Sequence, residues 1–182
     1  FYFLKPKTPI KEISLIPAAT KDIIANNYLI ITPSGEKKTG VEGFIYWCQK
    51  FKLPVIKTAY EYQKTWQKYA QYKKGSFIDG TYKLKTTFKD VFVDKLYYLD
   101  FYSLERFGKT KLGWLLLYAK QSQNRQLIKE LINIIKEKIK VLINQYHFKA
   151  IGFIPPTIKR ETQLMKEMAQ QLNFNLPILV IQ

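Results

Sequence analysis

The sequence predicts an α/β fold, a parallel sheet with flanking helices, preceded by an N-terminal α/β extension. Three features predict it. The apolar run Ala150-Ile151-Gly152-Phe153-Ile154 stops at Pro155-Pro156, helical spacing follows over 162–172, and a second apolar run starts at Leu176. Strand, loop, helix and strand at these lengths form a βαβ unit, whose strands are parallel and joined by a right-handed crossover. Just upstream, Leu127, Ile128, Leu131, Ile132, Ile135, Ile139 and Leu142 recur on one helix face over about 123–145. Earlier in the chain, short apolar runs bounded by Gly and Pro alternate with helical periodicity, which suits a mixed extension.

Along the chain, Pro6, Pro9 and Pro17 indicate an extended start. Tyr28-Leu29-Ile30-Ile31-Thr32, closed by Pro33-Ser34-Gly35, reads as a buried strand. Val41, Phe44, Ile45, Trp47, Cys48 and Phe51 place a helix over 40–53, ended by Pro54. Val55-Ile56 reads as a short strand, and a second helix is expected over 58–72. Asp79-Gly80 signals a hairpin between 76–78 and 81–84. Strand-like runs continue at Val91-Phe92-Val93 and Leu96-Tyr97-Tyr98-Leu99. After a polar stretch at 106–110, Leu112, Leu115, Leu116, Tyr118 and Ala119 make a short amphipathic helix before the long one. The expected organisation is residues 1–95 as an N-terminal α/β region of unknown role and 96–182 as a second domain.

Lys and Arg number 30 against 14 Asp and Glu, a net charge of +16. That balance draws a chain towards phosphorylated metabolites, nucleic acid or anionic surfaces, and it also suits a solvated lysine-rich exterior. One cysteine, Cys48, excludes an intramolecular disulfide framework and a thiolate zinc site, and it falls on an apolar helix face as a buried thiol. A catalytic triad would have to use the single histidine, His147. No apolar run reaches the roughly 18–20 residues of a membrane span, and no signal peptide is visible, so a reducing cytoplasmic setting is expected. The start at Phe1 and the stop at Gln182 inside an apolar run suggest a fragment.

Gly35-Glu36-Lys37-Lys38-Thr39-Gly40 has the glycine spacing of a phosphate loop, but Val41-Glu42 replaces the Lys-Ser/Thr pair that such a loop needs. The helix over 58–72 sets Tyr62, Trp66 and Tyr69 beside Lys64 and Lys68. Rings that stack bases and lysines that hold phosphates make these the candidates for contact with single-stranded DNA, while a core-facing stripe with a basic rim has the same pattern. The basic turn Thr157-Ile158-Lys159-Arg160 follows a strand and precedes a helix. Lys159 and Arg160 are thereby placed at the C-terminal edge of a parallel sheet, where open α/β sheets bind ligands and helix N-termini attract anions.

Two blocks of the sequence resemble the ComF family, competence-associated relatives of purine and pyrimidine phosphoribosyltransferases. In 107–131 an aromatic start, an amphipathic helix, Lys120, a polar stretch and a helix bearing Leu127 and Leu131 follow the family order. In the second block, the strand at 151–154, Pro156, the basic turn Lys159-Arg160, Met168-Ala169 and Leu172 stand where the family has a strand, proline, basic turn, Leu-Ala and helix end. Of the family's Arg-Gly-Phe-Asn motif only Arg160 is kept. The resemblance implies that 96–182 is the front half of a type I phosphoribosyltransferase-like domain, with Lys120, Lys159 and Arg160 drawing phosphate. For the whole family it implies phosphoribosyl pyrophosphate (PRPP) and magnesium, and an association with DNA uptake or nucleotide metabolism. The family's acidic pair and Gly-rich loop would fall beyond Gln182, so residues 1–182 are expected to lack transferase activity. The zinc ribbon of the family needs cysteines that this sequence lacks. Two other functions compete: a basic single-stranded nucleic-acid-binding module without catalysis, and a structural α/β domain.

Overall fold

The computed structural model describes residues 13–156, 158 and 160–180. They divide into two units that alternate along the chain, one running to Gln71 and taking up Tyr102–Lys111, the other comprising Tyr72–Phe101 and Leu112–Gln182. Residues on both sides of position 95 belong to the second unit.

The first unit starts with α1 (Ala18–Asn27), then the antiparallel pair β1 (Leu29–Ile31) and β2 (Lys37–Thr39), α2 (Gly40–Lys50) and α3 (Val55–Ala70). The hairpin β6 (Ser103–Leu104) and β7 (Gly108–Lys109) belongs to it as well. The Gly35–Gly40 stretch is therefore a hairpin arm entering a helix, not a phosphate loop. Val55-Ile56, expected as a strand, is the first turn of α3. Pro54 presets the backbone for helix entry, and its carbonyl accepts from Thr58 N at 3.0 Å and Thr58 Oγ1 at 2.7 Å. That local geometry outweighs the strand preference of two β-branched residues. The core is aromatic: Tyr28 meets Phe44 edge-on at 5.2 Å and Tyr62 at 5.6 Å, and Tyr62 meets Phe107 at 5.1 Å. Edge-to-face packing of this kind aligns ring edges with ring faces and adds to area burial.

The second unit opens with a three-stranded antiparallel sheet, β3 (Lys73–Lys74), β4 (Phe77–Asp79) and, after α4 (Thr81–Thr87), β5 (Tyr97–Tyr98). The hairpin expected at Asp79-Gly80 lies four residues earlier, turning at Gly75, whose φ of +68° suits glycine. Asp79 Oδ1 instead accepts from Thr81 N at 2.9 Å and starts α4. Gly80 is needed there because a Cβ would collide with the Tyr98 ring. Val91-Phe92-Val93 forms no strand.

Then come α5 (Lys111–Ser122), α6 (Arg125–Tyr146), β8 (Ile151–Phe153), α7 (Leu164–Gln171) and β9 (Ile178–Val180). Asn124 caps α6, its side chain accepting from Gln126 N at 2.9 Å and Leu127 N at 3.1 Å. His147 ends it in the left-handed region at φ +51°. The helix buries Ile128, Leu131, Ile132 and Ile135. The other three positions of its apolar face, Leu127, Ile139 and Leu142, are half-buried. Lys138 ties α6 to the sheet, donating to Leu99 O at 2.8 Å, while Asp100 pairs with Lys73 at 2.7 Å. β8 and β9 pair in parallel, Ile151 opposite Ile178, as the strand–loop–helix–strand pattern requires. The other sheets among the described residues are antiparallel, so the fold is mixed α/β and its parallel portion here is two strands.

Candidate anion-binding site

The cleft of interest lies within the second unit, where the segment after β8 meets the end of α5. Among the described residues its lining is Leu116 and Lys120 from α5, Ile154 to Pro156, Ile158, Arg160, Thr162 and Gln163 from the segment that follows β8, and Leu164 and Met165 from α7, around a volume of about 370 Å³. Proline at 155 and 156 stops the strand by removing backbone donors, and the chain leaves the sheet edge towards α7. Two side chains fasten it. Arg160 Nη1 donates to the carbonyl of Lys120, one of the carbonyls that the last turn of a helix leaves without an intrahelical donor. Gln123 Oε1 accepts from Thr162 N at 2.8 Å. Within the segment, Gln163 Nε2 donates to Ile158 O at 3.1 Å.

Lys120 and Arg160, 40 positions apart, therefore both line one cleft, joined through the backbone carbonyl of Lys120. The guanidinium carries five donors in a planar fork, so the bond to Lys120 leaves most of them for another acceptor. α7 starts at the same place with no side chain capping its first turn, and its leading N–H groups form an additional set of donors. Leu116, Ile154, Ile158, Leu164 and Met165 make the remainder of the lining largely apolar. Lys159 lies outside the described residues. No carboxylate appears among the described lining residues, so the cleft offers cationic groups for a phosphate but not the carboxylates through which proteins usually hold magnesium. Magnesium does not fit this donor set, and no step is assigned to it.

The nucleic-acid candidates on α3 are placed differently. Tyr62 is 2% exposed, enclosed by Tyr28, Phe44 and Phe107. It cannot stack a base without opening the core, and its assignment as a base contact is corrected on that ground. Trp66 and Tyr69 are half-buried, and Lys64 is exposed. Lys68 pairs with Glu105 at 2.7 Å, and that hydrogen bond holds the Glu105 carboxyl below its ordinary range. α3 thus turns Tyr62 into the core, while Lys64, Lys68, Trp66 and Tyr69 keep exposed surface. Gln123 was missed by sequence reasoning. The only signal was the polar break Gln121-Ser122-Gln123-Asn124 between two helical patterns, which reads equally as an ordinary loop.

Comparison with protein-family models, with curated proteins and with solved structures gives no match. Among the described residues no helix is long and apolar enough to cross a membrane.

Proposed function

We propose that this chain is a phosphoribosyltransferase-like protein of the ComF type, whose cleft beside Arg160 takes the phosphate of a phosphorylated small molecule. The observation that carries the reading is that Lys120 and Arg160 both line one cleft at the end of a parallel strand. A ligand phosphate would accept from the free part of the Arg160 fork and from the first N–H groups of α7, with Lys120 adding charge at the rim. The cleft is a binding site and not a complete transferase: its described lining offers no acidic group for ribose hydroxyls or metal. Residues 1–182 are accordingly expected to release no pyrophosphate from PRPP with any base.

The test is titration calorimetry with ribose 5-phosphate, with ribose as the uncharged control. The expected result is binding of the phosphate ester alone, weakened by rising salt as screening grows. Arg160→Ala and Lys120→Ala should each weaken it about fivefold, the equivalent of about 1 kcal/mol for a partly exposed charged contact. Unchanged affinity in the double variant, with its far-ultraviolet circular dichroism intact, would refute the site.

A further inference from the structure

The second unit has a cluster of rings that the cleft does not use. Tyr82, Phe88, Phe92 and Tyr98 are exposed to 82%, 58%, 98% and 47%, all on the stretch from α4 to β5. Single exposed apolar residues are ordinary on protein surfaces. Tyr98 lies against Gly80, but the other three large rings along this short stretch, one of them almost wholly in water, are not explained by packing within the unit. The same stretch carries Lys83, Lys85, Lys89 and Lys95, all exposed. Lys95 Nζ sits 4.9 Å from the Tyr146 ring centre. Lys83, Lys85 and Lys89 form no ion pair with a described residue, whereas Lys38, Lys68, Lys73 and Lys140 do. Carboxylates are fewer: Asp79 is engaged in starting α4, which leaves Asp90 and Asp94.

We propose that the stretch from α4 to β5 is a binding surface for single-stranded nucleic acid, separate from the cleft and independent of it. Every base has a π-face, so exposed Tyr and Phe rings stack bases without selecting sequence, while flanking lysines neutralise phosphates. This is the ring-and-lysine combination that the sequence suggested for α3, where the structure turns Tyr62 into the core. It is realised instead on a segment whose rings face solvent. The position of the carboxylates favours nucleic acid over an anionic membrane. Insertion of Phe92 and Val93 into a bilayer would carry Asp90 and Asp94 into the interface and strip their water, at a cost that rises with depth. A base stacked on Phe92 leaves both carboxylates hydrated.

The experiment is fluorescence anisotropy with labelled oligothymidine, run beside sedimentation with phosphatidylserine vesicles. The full chain is expected to bind the oligonucleotide with an affinity that falls linearly with salt on logarithmic axes. Phe88→Ala and Phe92→Ala should each weaken it about tenfold, the usual scale for loss of one ring–base stack. Tyr60→Ala, which removes an exposed ring of the first unit, should leave it unchanged. The two phenylalanines are exposed, so circular dichroism and thermal midpoint should match wild type in these variants. Equal oligonucleotide affinity of wild type and the double ring variant overturns the proposal. So does absence of oligonucleotide binding by wild type, and so does vesicle binding that depends on Phe92 while oligonucleotide affinity does not.

Discussion

Replacement of Gln123 separates the stability of the fold from the shape of the cleft. Gln123 lies between α5 and α6 at φ +54°, and its side-chain oxygen holds Thr162 N at 2.8 Å. A non-glycine residue in the left-handed region costs roughly 1 kcal/mol relative to glycine. One side chain–backbone hydrogen bond contributes about 1 kcal/mol net. Gln123→Ala loses the bond and keeps the backbone cost, so it should be destabilised by about 1 kcal/mol. Gln123→Gly loses the same bond and is relieved of the backbone cost, so its stability should stay within about 0.5 kcal/mol of wild type. Both remove one of the two ties on the 160–163 segment, leaving the Arg160 bond to the Lys120 carbonyl, and both should bind ribose 5-phosphate roughly threefold to tenfold more weakly, the scale of ordering one or two further side chains on binding. Urea unfolding followed by tryptophan fluorescence gives the stabilities, and calorimetry gives the affinities. Wild-type affinity in the glycine variant would refute the argument that Gln123 positions the anion-binding segment.

Three further outcomes are expected. Asn124→Ala removes the cap shared by Gln126 N and Leu127 N and should destabilise the chain by about 1 kcal/mol in urea unfolding, with no such loss in Asn124→Asp, which also caps well. Tyr62→Ala opens the aromatic core of the first unit and should cost about 3–5 kcal/mol; a near-neutral result would contradict the burial described. Stability should fall as pH rises from 9 towards 12, because burial pushes the Cys48 thiol from 9.0 up to about 12 and also raises the Tyr28 hydroxyl. The folded chain keeps protons that the unfolded chain gives up, so this stability is complete below the unfolded values and is lost above them. Lys138 opposes the trend: burial lowers its pKa below 10.5, so its contribution improves as pH rises towards that value. The urea midpoint measured across this range should fall more gently in Cys48→Ala, and an unchanged slope would contradict the assignment.

The sequence made the C-terminal pattern legible because periodicity and punctuation agreed there. Pro155-Pro156 ended an apolar run, Asn124 stood before a strong amphipathic repeat, and the strands formed in parallel where expected. Val55-Ile56 misled because two β-branched residues favour a strand while Pro54 before them favours helix entry, and the local hydrogen bonds decide. Asp79-Gly80 misled because the same dipeptide serves a hairpin turn and a helix start, and here the chain on its N-terminal side pairs with β5, far along the sequence, with Gly80 N donating to Leu96 O. The two units were not legible, since Tyr102–Lys111 returns to the first through Phe107 packing on Tyr62 and Trp47. Arg160 and Lys120 could each be singled out by type and position. Their meeting could not be derived from residue spacing, because it depends on the end of α5 presenting a carbonyl to the guanidinium.

The most direct test of the cleft follows backbone amides. Inorganic phosphate titrated into isotope-labelled protein at low salt should shift the amide resonances of Arg160, Thr162, Gln163, Leu164 and Met165 together, saturating with one affinity, and the response should largely vanish in Arg160→Ala. Shifts spread over lysine-rich surface without saturation, or a saturating response that survives Arg160→Ala, would contradict the claim that this cleft binds phosphate.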